Sequence, residues 1–286
     1  MVNLKNERKL YLVSTPIGNL SDITLRALEK LKSVDGIIAE DSRRTKKLLS
    51  AHEIETPIVK TYYQGAEDRA DQIVDTIKKG RNLALVSDAG TPLISDPGYK
   101  LVRLAIDKGV RVITIPGPSA VTTALPASGQ PTDSFIFDGM LPKKKNKKEN
   151  YLYSLKNEKR TVIVYESPHR IEGTLEKISS ILPQREMSLC RELTKKHEEI
   201  IRGTAKEILK SKRNKNGFRG EITLIIRGAS EKEIEENKRQ RYSDISIKDQ
   251  YEILTTVKGM KRKEAMKKIA ELRGISKREV FDRLAD

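Results

Sequence analysis

Four short turns rich in glycine and proline, each placed directly after an apolar run, constrain the fold of this chain more than any other feature. The turns are S-T-P-I-G-N-L at 14–20, E-D-S-R-R at 40–44, S-D-A-G-T-P-L-I-S-D-P-G at 87–98 and I-P-G-P-S-A at 115–120. All four carry hydroxyl, carboxylate or guanidinium groups. One such turn often only reverses the chain, but four in series predict a shared ligand site.

The apolar runs before these turns have the length and composition of buried parallel strands. We predict strands at 10–13, 36–39, 83–86 and 112–115, each followed by a turn and a helical pattern. In an open α/β sheet, ligands bind beyond the carboxyl ends of the strands, near a reversal of the strand order. The four turns are therefore expected to line one cleft.

The residues in the turns limit the ligand that such a cleft accepts. The chain has neither G-x-G-x-x-G after its first strand nor G-x-x-x-x-G-K-[ST], so it lacks the usual phosphate cradles. Carboxylates beside exposed backbone instead favour a cation, and a sulfonium cofactor fits that field. Gly18, Gly90 and Gly117 permit close approach of the backbone to an adenine or a ribose. The carboxylates are those of Glu40, Asp41, Asp88 and Asp96.

Composition limits the compartment and the cofactor class. No apolar run approaches the ~20 residues of a membrane helix, and the amino-terminal residues have no secretory pattern. The single cysteine, Cys190, cannot form an internal disulfide, and the three histidines lack zinc-ligand spacing. We expect a cytoplasmic protein with no membrane association and no metal site.

The formal net charge of +16 favours a polyanionic partner. Residues 231–286 hold 15 Lys and Arg against 12 Asp and Glu, a contribution of +3, so residues 1–230 contribute the remaining +13. The densest basic run, K-K-K-N-K-K at 143–148, follows a predicted strand and is expected in a loop. That loop is either simply solvated or in contact with phosphate.

The chain predicts two α/β domains followed by a smaller unit. The small, polar segment 127–134 is expected to connect a domain at 1–126 to a second domain at 127–230. Two strands of the second domain end in the polar clusters E-S-P-H-R at 166–170 and R-E-L-T-K-K-H-E-E at 191–199, which predicts a cleft with two walls. The strand patterns of this domain lie at 135–137, 161–165, 187–190 and 221–226, and the helical patterns near 148–155, 171–182 and 205–209.

Residues 231–286 are predicted to form a hinge and a helical extension. The stretch 229–241 alternates acidic and basic residues with few apolar ones, which is typical of a hinge. Ser246 and Ser276 have the pattern of helix N-caps, and Gly259 and Gly274 that of helix ends. The resulting short helices resemble a helix-turn-helix unit, which either contacts nucleic acid or only forms a small core.

The motifs together resemble one known family. The resemblance rests on the series T-P-I-G-N-L, D-I-T-L-R-A-L, A-E-D-S-R-R-T, S-D-A-G-T-P-L-I-S-D-P-G, I-P-G-P-S-A, Y-E-S-P-H-R, R-E-L-T-K-K-H-E-E and G-E-I-T-L-I-I-R-G. This series is similar to that of the ribosomal RNA small subunit methyltransferase I group, within the tetrapyrrole methylase superfamily. It runs in unbroken order from residue 10 to residue 228. Ser14 and Ser42 stand where many relatives have Ala and Thr, which are conservative changes.

The resemblance implies a fold, a cofactor, a substrate and an assembly. The fold is α/β, a two-domain tetrapyrrole-methylase-like fold with an interdomain cleft and a small C-terminal helical, helix-turn-helix-like extension. The cofactor is S-adenosyl-L-methionine, the substrate is the ribose 2′-hydroxyl of a decoding-region cytidine in 16S rRNA of the small ribosomal subunit, and the assembly is a homodimer. The resemblance also implies the cofactor-pocket residues, which are Pro16, Gly18, Asp88, Gly90, Thr91, Ile94, Ser119, Ala120 and Tyr165.

Methyl transfer to a hydroxyl needs in-line alignment and a group that accepts the hydroxyl proton. The sequence supplies several candidates for that group without choosing among them: Glu40, Asp41, Glu166, His169 and Glu192. Basic residues suited to RNA phosphates or to a developing alkoxide are Arg43, Arg44, Lys143, Lys144, Lys145, Lys147, Lys148, Arg170, Arg191, Lys195 and Lys196.

Several of these residues have a purely structural alternative. Glu40 and Asp41 can cap the helix that follows them. Arg191 and Glu192 can pair with neighbours across the cleft, and His169 can satisfy a local carbonyl in its turn. Cys190 lies inside a predicted strand and is expected to be a core residue rather than a nucleophile.

Two other functions are also compatible with the sequence. A tetrapyrrole (porphyrinogen or precorrin) C-methyltransferase would use the same cofactor pocket on an anionic macrocycle. A non-enzymatic ribosome-associated RNA-binding protein would keep the basic surface but would not require Asp88 beside Gly90. The basic run and the added helices favour RNA as the substrate.

Overall fold

The computed structural model describes residues 8–212, 218–243 and 245–285. These residues form a first lobe (8–119) and a second lobe (120–228), each built on a five-stranded sheet, and a helical extension (229–285). The predicted α/β class with a helical extension is therefore confirmed.

The sheet of the first lobe is entirely parallel, with strand order β3-β2-β4-β1-β5. The strands are β1 (Lys9–Val13), β2 (Gly36–Ala39), β3 (Ile58–Thr61), β4 (Leu83–Val86) and β5 (Arg111–Ile115). Because β4 lies between β2 and β1, the chain reverses direction across the sheet there, and a crevice opens beyond the carboxyl ends of these strands. The four predicted strands of this lobe are confirmed.

Helices cover both faces of this sheet, since alternate strand residues point to opposite faces. Tyr11 and Val13 of β1 belong to the core on one face, and Leu10 and Leu12 belong to the core on the other. The first core includes residues of α1 (Leu25–Ser33) and α2 (Ser42–Ala51), and the second includes residues of α3 (Ala70–Lys78) and α4 (Tyr99–Asp107). This burial on both faces explains why β2 and β4 are continuous apolar runs.

The sheet of the second lobe is mixed, with strand order β6-β7-β10-β8-β9, in which only the β6-β7 pair is parallel. Its strands are β6 (Phe135–Met140), β7 (Thr161–Glu166), β8 (Glu186–Arg191), β9 (Glu199–Thr204) and β10 (Ile222–Ile226). Its helices are α5 (Ala120–Ser128), α6 (Lys145–Ser154), α7 (Ile171–Ile181) and α8 (Ala205–Lys212). Helices α6, α7 and α8 cover one face, and α5 covers the other.

Helix α5 packs between the two lobes. Its residues Val121 and Leu125 share one apolar cluster with Ile17 of the first lobe and with Ile225 of β10. Residue 126, where the sequence predicts the first domain to end, lies in the last turns of this helix. The division of the chain into domains at 126 and 230 stays a prediction.

Strands β3 and β9 are not predicted by the sequence pattern. Each lies at the edge of its sheet, where β3 pairs with β2 and β9 pairs with β8. Lys60 in β3 and Arg202 in β9 interrupt the apolar pattern, as charged residues often do in edge strands. The polar cluster predicted to end at residue 199 therefore runs directly into a strand.

The predicted hinge is wrong, because residues 231–243 form helix α9 (Glu231–Ser243). The helix begins with a capping box, in which the Glu233 amide donates to Ser230 Oγ at 3.2 Å and the Ser230 amide donates to Glu233 Oε2 at 2.7 Å. The buried Arg185 donates to Glu233 Oε1 at 3.0 Å, and Ile234 is buried. Capping and contacts with the second lobe thus stabilise a helix whose composition alone predicts none.

The helical extension continues with α10 (Ile247–Glu252), a π-helical turn at Ile253–Val257, α11 (Arg262–Arg273) and α12 (Lys277–Ala285). The predicted N-caps are confirmed, since Ser246 Oγ accepts from the Asp249 amide at 3.0 Å and Ser276 Oγ accepts from the Glu279 amide at 3.1 Å. Across the part of the chain that the structure describes, no helix is long and apolar enough to cross a lipid bilayer.

Candidate active site

Three of the four turns contact one another beyond the carboxyl ends of β1, β4 and β5. Thr15 and Gly90 exchange two backbone hydrogen bonds, each of 2.9 Å. The Ser14 and Thr91 hydroxyls lie 3.0 Å apart, and Thr91 Oγ1 donates to the carbonyl of Pro118 at 3.1 Å. The turns therefore meet, as the sequence predicts.

The turn after β2 is tied to the turn after β4 by two hydrogen bonds. The Asp88 amide donates to Glu40 Oε2 at 3.1 Å, and the Asp41 amide donates to Asp88 Oδ1 at 3.0 Å. Asp41 Oδ1 accepts from the Arg43 amide at 2.8 Å and so caps α2. Hydrogen bonds from Arg43 lower the pKa of Asp41 to about 2, which makes this carboxylate a weak base. The capping alternative is thus confirmed for Asp41.

The turns and the second lobe enclose a cleft of ≈ 710 Å³, a volume within the roughly 300–1,000 Å³ of small-molecule sites. Pro16 and Gly18 do not line it, although Ile17 between them does. A Cβ at Gly18 would lie 2.5 Å from Lys195 Cγ, so this glycine permits close packing of the two lobes. The predicted pocket residues that do line the cleft are Asp88, Gly90, Thr91, Ile94, Ser119, Ala120 and Tyr165.

The loop that carries Ile94 has an unusual backbone. Leu93 and Ser95, on either side of it, have positive φ angles of 73° and 67°. Residues other than glycine rarely adopt positive φ angles, and residues with such strained backbone are concentrated at functional sites. The conformation leaves the Ile94 side chain 43% exposed at the cleft.

Three of the five predicted proton acceptors line the cleft, namely Glu40, Glu166 and Glu192. Glu192 accepts a hydrogen bond from Lys195 at 2.9 Å, and this bond lowers its pKa. The side chain of His169 is exposed and lies outside the lining, and Asp41 is engaged at the start of α2.

Glu166 is fully buried beneath the cleft wall and is ion-paired. Its oxygens lie 3.0 Å from Lys148 Nζ and 2.5 Å from a terminal nitrogen of Arg170. Lys148 and Arg170, which the sequence suggests for RNA contact, therefore pair with a buried carboxylate instead. The loop predicted at 143–148 covers only residues 143–144, because α6 begins at Lys145 and carries Lys148 inward.

The remaining basic residues fall into three groups. Arg44 and Lys195 line the cleft, and Arg44 lies 3.5 Å from Asp88. Arg191 pairs with Glu199 at 2.6 Å, on the adjacent strand β9 rather than across the cleft. The others are exposed: Arg43, Lys143, Lys144, Lys145, Lys147 and Lys196.

The cleft is acidic although the chain is basic. Burial, followed by the charge of Asp88, raises the pKa of Glu40. Burial, followed by the charge of Glu40, raises the pKa of Asp96 to about 6. Among the described residues, the charged groups that line the cleft are Glu40, Asp88, Asp96, Glu166, Glu192, Glu221, Arg44 and Lys195. Four of the six carboxylates are ion-paired, and Glu40 and Asp96 are the two without a salt bridge in this part of the structure, so their charge favours a positively charged ligand.

Sequence reasoning missed part of the second wall. Met140, Ser167, Pro168 and the segment 220–223 line the cleft, and Asp96 lines it without having been selected as a catalytic candidate. Ser167 and Pro168 lie inside the E-S-P-H-R cluster that already predicted a second wall, whereas Met140 follows an ordinary strand pattern and carries no local signal. Cys190 is fully buried and burial raises its pKa to about 11, which confirms it as a core residue.

Comparisons with known proteins agree with this architecture. Residues 9–209 match the family model of the Tetrapyrrole (Corrin/Porphyrin) Methylases. A protein of Bacillus subtilis (strain 168) named "Ribosomal RNA small subunit methyltransferase I" is 46% identical over 96% of this chain and 92% of its own length. A protein of the same name from Thermotoga maritima is 45% identical over 77% of this chain and 98% of its own length.

Solved structures share the fold at low sequence identity. A cobalt precorrin-4 methyltransferase superposes with a TM-score of 0.57 at 19% identity and covers 76% of this chain and 94% of its own. A uroporphyrin-III C-methyltransferase from Thermus thermophilus complexed with S-adenyl homocysteine has a TM-score of 0.53 at 16% identity and covers 77% and 97%. The chain therefore belongs to the tetrapyrrole methylase family and, within it, to the ribosomal RNA small subunit methyltransferase I family.

Proposed function

We propose that this protein transfers a methyl group from S-adenosyl-L-methionine to the ribose 2′-hydroxyl of a decoding-region cytidine in 16S rRNA. The observation that carries the proposal is an acidic cleft, formed by the family's own turn motifs, in a strongly basic chain. The Bacillus subtilis relative, 46% identical over 96% of this chain, is named as a methyltransferase of the small-subunit ribosomal RNA. Fold alone would not select a substrate, because one fold supports many activities.

The residues of the cleft fit this cofactor. When bound, S-adenosyl-L-methionine supplies a methyl group that is activated by a positively charged sulfur. Asp88 and Asp96 provide negative charge for such a cation. Gly90, Ser119 and Ala120 have side chains small enough to leave the neighbouring backbone accessible for hydrogen bonds. We assign the holding of the cofactor to these residues together with Thr91, Ile94 and Tyr165.

The chain offers two groups that can accept the hydroxyl proton. Of the original five candidates, Glu40 lines the cleft, has a raised pKa and has no cationic partner within salt-bridge distance among the described residues. Asp96 is a sixth candidate, with a pKa near neutrality that suits proton transfer. With a pKa of about 6, Asp96 is ionised in most molecules at pH 7.5, as a proton acceptor must be.

The basic residues hold the RNA outside the cleft. Phosphates are repelled by the carboxylates within, so the backbone of the substrate stays at the rim while a single hydroxyl enters. Arg43, Lys196 and the exposed lysines of 143–147 supply the positive charge there. Arg44 and Lys195, at the cleft itself, are placed to stabilise the developing alkoxide.

The acidic lining argues against a tetrapyrrole substrate. A porphyrinogen or precorrin carries several carboxylates, and it would enter a cleft lined by six carboxylates and two cations among the described residues. Arg44 and Lys195 are already paired with Asp88, Glu192 and Glu221. Glu40 and Asp96, which have no salt bridge among the described residues, would therefore repel such a substrate. A purely RNA-binding role is disfavoured as well, because it would not need buried carboxylates with raised pKa values.

The finer parts of the proposal concern assembly and location. We infer a homodimer in the cytoplasm from the family resemblance, and light scattering of the purified protein tests the dimer. A monomer at micromolar concentration that is fully active would remove the dimer from the proposal.

The function is tested with small ribosomal subunits from a strain that lacks this protein. We expect labelled methyl to pass from S-adenosyl-L-methionine to the 16S rRNA, and mass mapping to place it on one ribose of a decoding-region cytidine. Uroporphyrinogen serves as the competing substrate. Methyl uptake by the macrocycle with none into the subunits would reverse the assignment.

A further inference from the structure

Glu166 lies at the centre of a cluster that engages both oxygens of its buried carboxylate. Oε1 accepts from the Ser167 amide at 2.8 Å and forms a salt bridge with Arg170 at 2.5 Å. Oε2 accepts from Lys148 Nζ at 3.0 Å and from Thr174 Oγ1 at 2.7 Å. Lys148 Nζ also donates to Thr174 Oγ1 at 2.7 Å. We call Lys148, Glu166, Arg170 and Thr174 the Glu166 bracket.

The bracket joins three elements at the wall of the cleft. Lys148 comes from α6, Glu166 from the end of β7, and Thr174 from α7. Arg170 extends the connection, because it donates to Ser167 Oγ at 3.1 Å and to the carbonyl of Leu141 at 3.4 Å. Leu141 and Ser167 stand directly beside Met140 and Pro168, which line the cleft.

The burial of the bracket excludes the two roles that the sequence suggests for its members. A carboxylate has about four acceptor positions; three of those of Glu166 are taken by hydrogen bonds and the Arg170 guanidinium lies against the same side chain, so little room is left for a substrate hydroxyl. The Lys148 side chain is only 12% exposed and its ammonium faces Glu166, so it is withdrawn from RNA phosphates. The lysines that precede it at 143, 144, 145 and 147 are exposed.

We propose that Lys148 and Glu166 are positioning residues, which hold the basic start of α6 at a fixed distance from the cleft wall. The proposal rests on the proposed function. RNA bound along the exposed lysines of 143–147 then presents its hydroxyl in line with the methyl donor, because α6 cannot shift relative to β7. Alignment of this kind is sensitive, since a displacement of about 1 Å can lower a rate by about 10²-fold.

The test compares K148M with K177M by methylation of small ribosomal subunits. Lys177 of α7 pairs with Glu149 of α6 at 2.5 Å, so K177M removes a salt bridge between the same two helices at a more exposed site away from the cleft lining. We expect kcat to fall at least about tenfold in K148M, with KM for the subunit and Kd for the cofactor within about threefold of wild type. K177M should keep kcat within about twofold.

Salt dependence separates positioning from direct phosphate contact. Loss of one phosphate contact lowers the slope of log KM against log salt by about 0.7 to 0.9, whereas a positioning role leaves the slope unchanged. T174V and E166Q should lower kcat in the same way, and K148M/E166Q should fall by less than the product of the single effects. T174V keeps the shape of the side chain, so it can still test the positioning role if the variants that remove a charge do not fold.

Three outcomes would overturn the proposal. The first is a K148M or T174V enzyme that folds and keeps the kcat of K177M, and the second is a reduced salt slope in K148M, which would make Lys148 a phosphate contact. In both cases the wild-type protein methylates the subunits, so the proposed function stands. The third is an absence of methyl uptake with the wild-type protein, which would remove the proposed function and this inference together.

Discussion

At the scale of single residues, the carboxylates of the cleft and of its edge respond to their surroundings in opposite ways. Burial and Glu40 raise the pKa of Asp96, whereas Arg43 lowers that of Asp41. Raised pKa values within an active site reflect charges held at a cost to stability, which a cationic ligand then relieves. Without its cofactor, the protein is therefore expected to be less stable at neutral pH than it would be with neutral side chains in place of these carboxylates.

The raised pKa of Asp96 predicts that D96N is more stable than the wild-type protein and that the gain depends on pH. The protonated form of Asp96 stabilises the fold below its ordinary pKa of 3.8, and that contribution is lost as the pH rises through about 6. D96N should therefore raise Tm by on the order of 1–3 °C at pH 7.5 and by much less at pH 4, as measured by calorimetry without cofactor. D41N, which keeps the N-cap, should lower Tm at pH 7.5, since the lowered pKa of Asp41 has the opposite sign. A D96N gain that persists unchanged at pH 4 would contradict the electrostatic cause.

Glu40 is expected to matter for the rate and little for folding. E40Q keeps an oxygen that can accept from the Asp88 amide but removes the proton acceptor. If Glu40 takes the hydroxyl proton, kcat should fall by about 10²- to 10⁴-fold while the Kd of the cofactor changes by less than about threefold. D88A is the matched comparison, because its main effect should be weaker cofactor binding, seen as a higher Kd. Equal kcat values for wild type and E40Q would leave Asp96 as the remaining acceptor.

At the scale of elements, the sequence predicted best what local chemistry decides. The strands before the four turns, the caps at Ser246 and Ser276, and the convergence of the turns each depend on residues close in sequence or on a general rule for parallel sheets. The predictions that are wrong concern residues whose structure depends on partners far away in the sequence. Helix α9 is held by Arg185, and the inward turn of Lys148 depends on Glu166, 18 residues away. Neither partner can be read from a local pattern.

The approach of the two lobes is also an element-scale property, and it predicts the effect of G18A. A methyl group there would lie 2.5 Å from Lys195 Cγ, 2.8 Å from Thr194 Oγ1 and 2.9 Å from the Leu193 carbonyl. The carbonyl is backbone and cannot move aside cheaply, so we expect a loss of about 1–3 kcal/mol of stability together with reduced cofactor affinity. Urea unfolding and calorimetric titration measure the two effects.

A second glycine provides the control for that substitution. In G173A the new methyl group meets nothing within 4 Å, and the residue lies in α7. Alanine should therefore stabilise this helix by about 0.5–1 kcal/mol and leave cofactor binding unchanged. A destabilisation of similar size in both variants would mean that the space between the lobes is not what limits residue 18.

At the scale of the whole molecule, charge is separated between an acidic cleft and a basic body. Residues 1–230 carry +13, yet carboxylates outnumber cations in the described lining of the cleft. One chain can therefore attract a polyanion over a broad surface and still accept a cationic cofactor within.

This separation predicts that RNA affinity and cofactor affinity can be changed independently. Replacing Lys143, Lys144, Lys145 and Lys147 by Gln should raise KM for the subunit and reduce the salt slope by up to about 3, while the Kd of the cofactor stays within about twofold. The matched control replaces Lys32, Lys78, Lys79 and Lys108, which lie just before strands and hence at the edge of the first sheet opposite the cleft. Both variants lose four charges, so a purely global effect of net charge would change the two slopes equally. Only a larger change in the first variant is consistent with RNA contact at the start of α6.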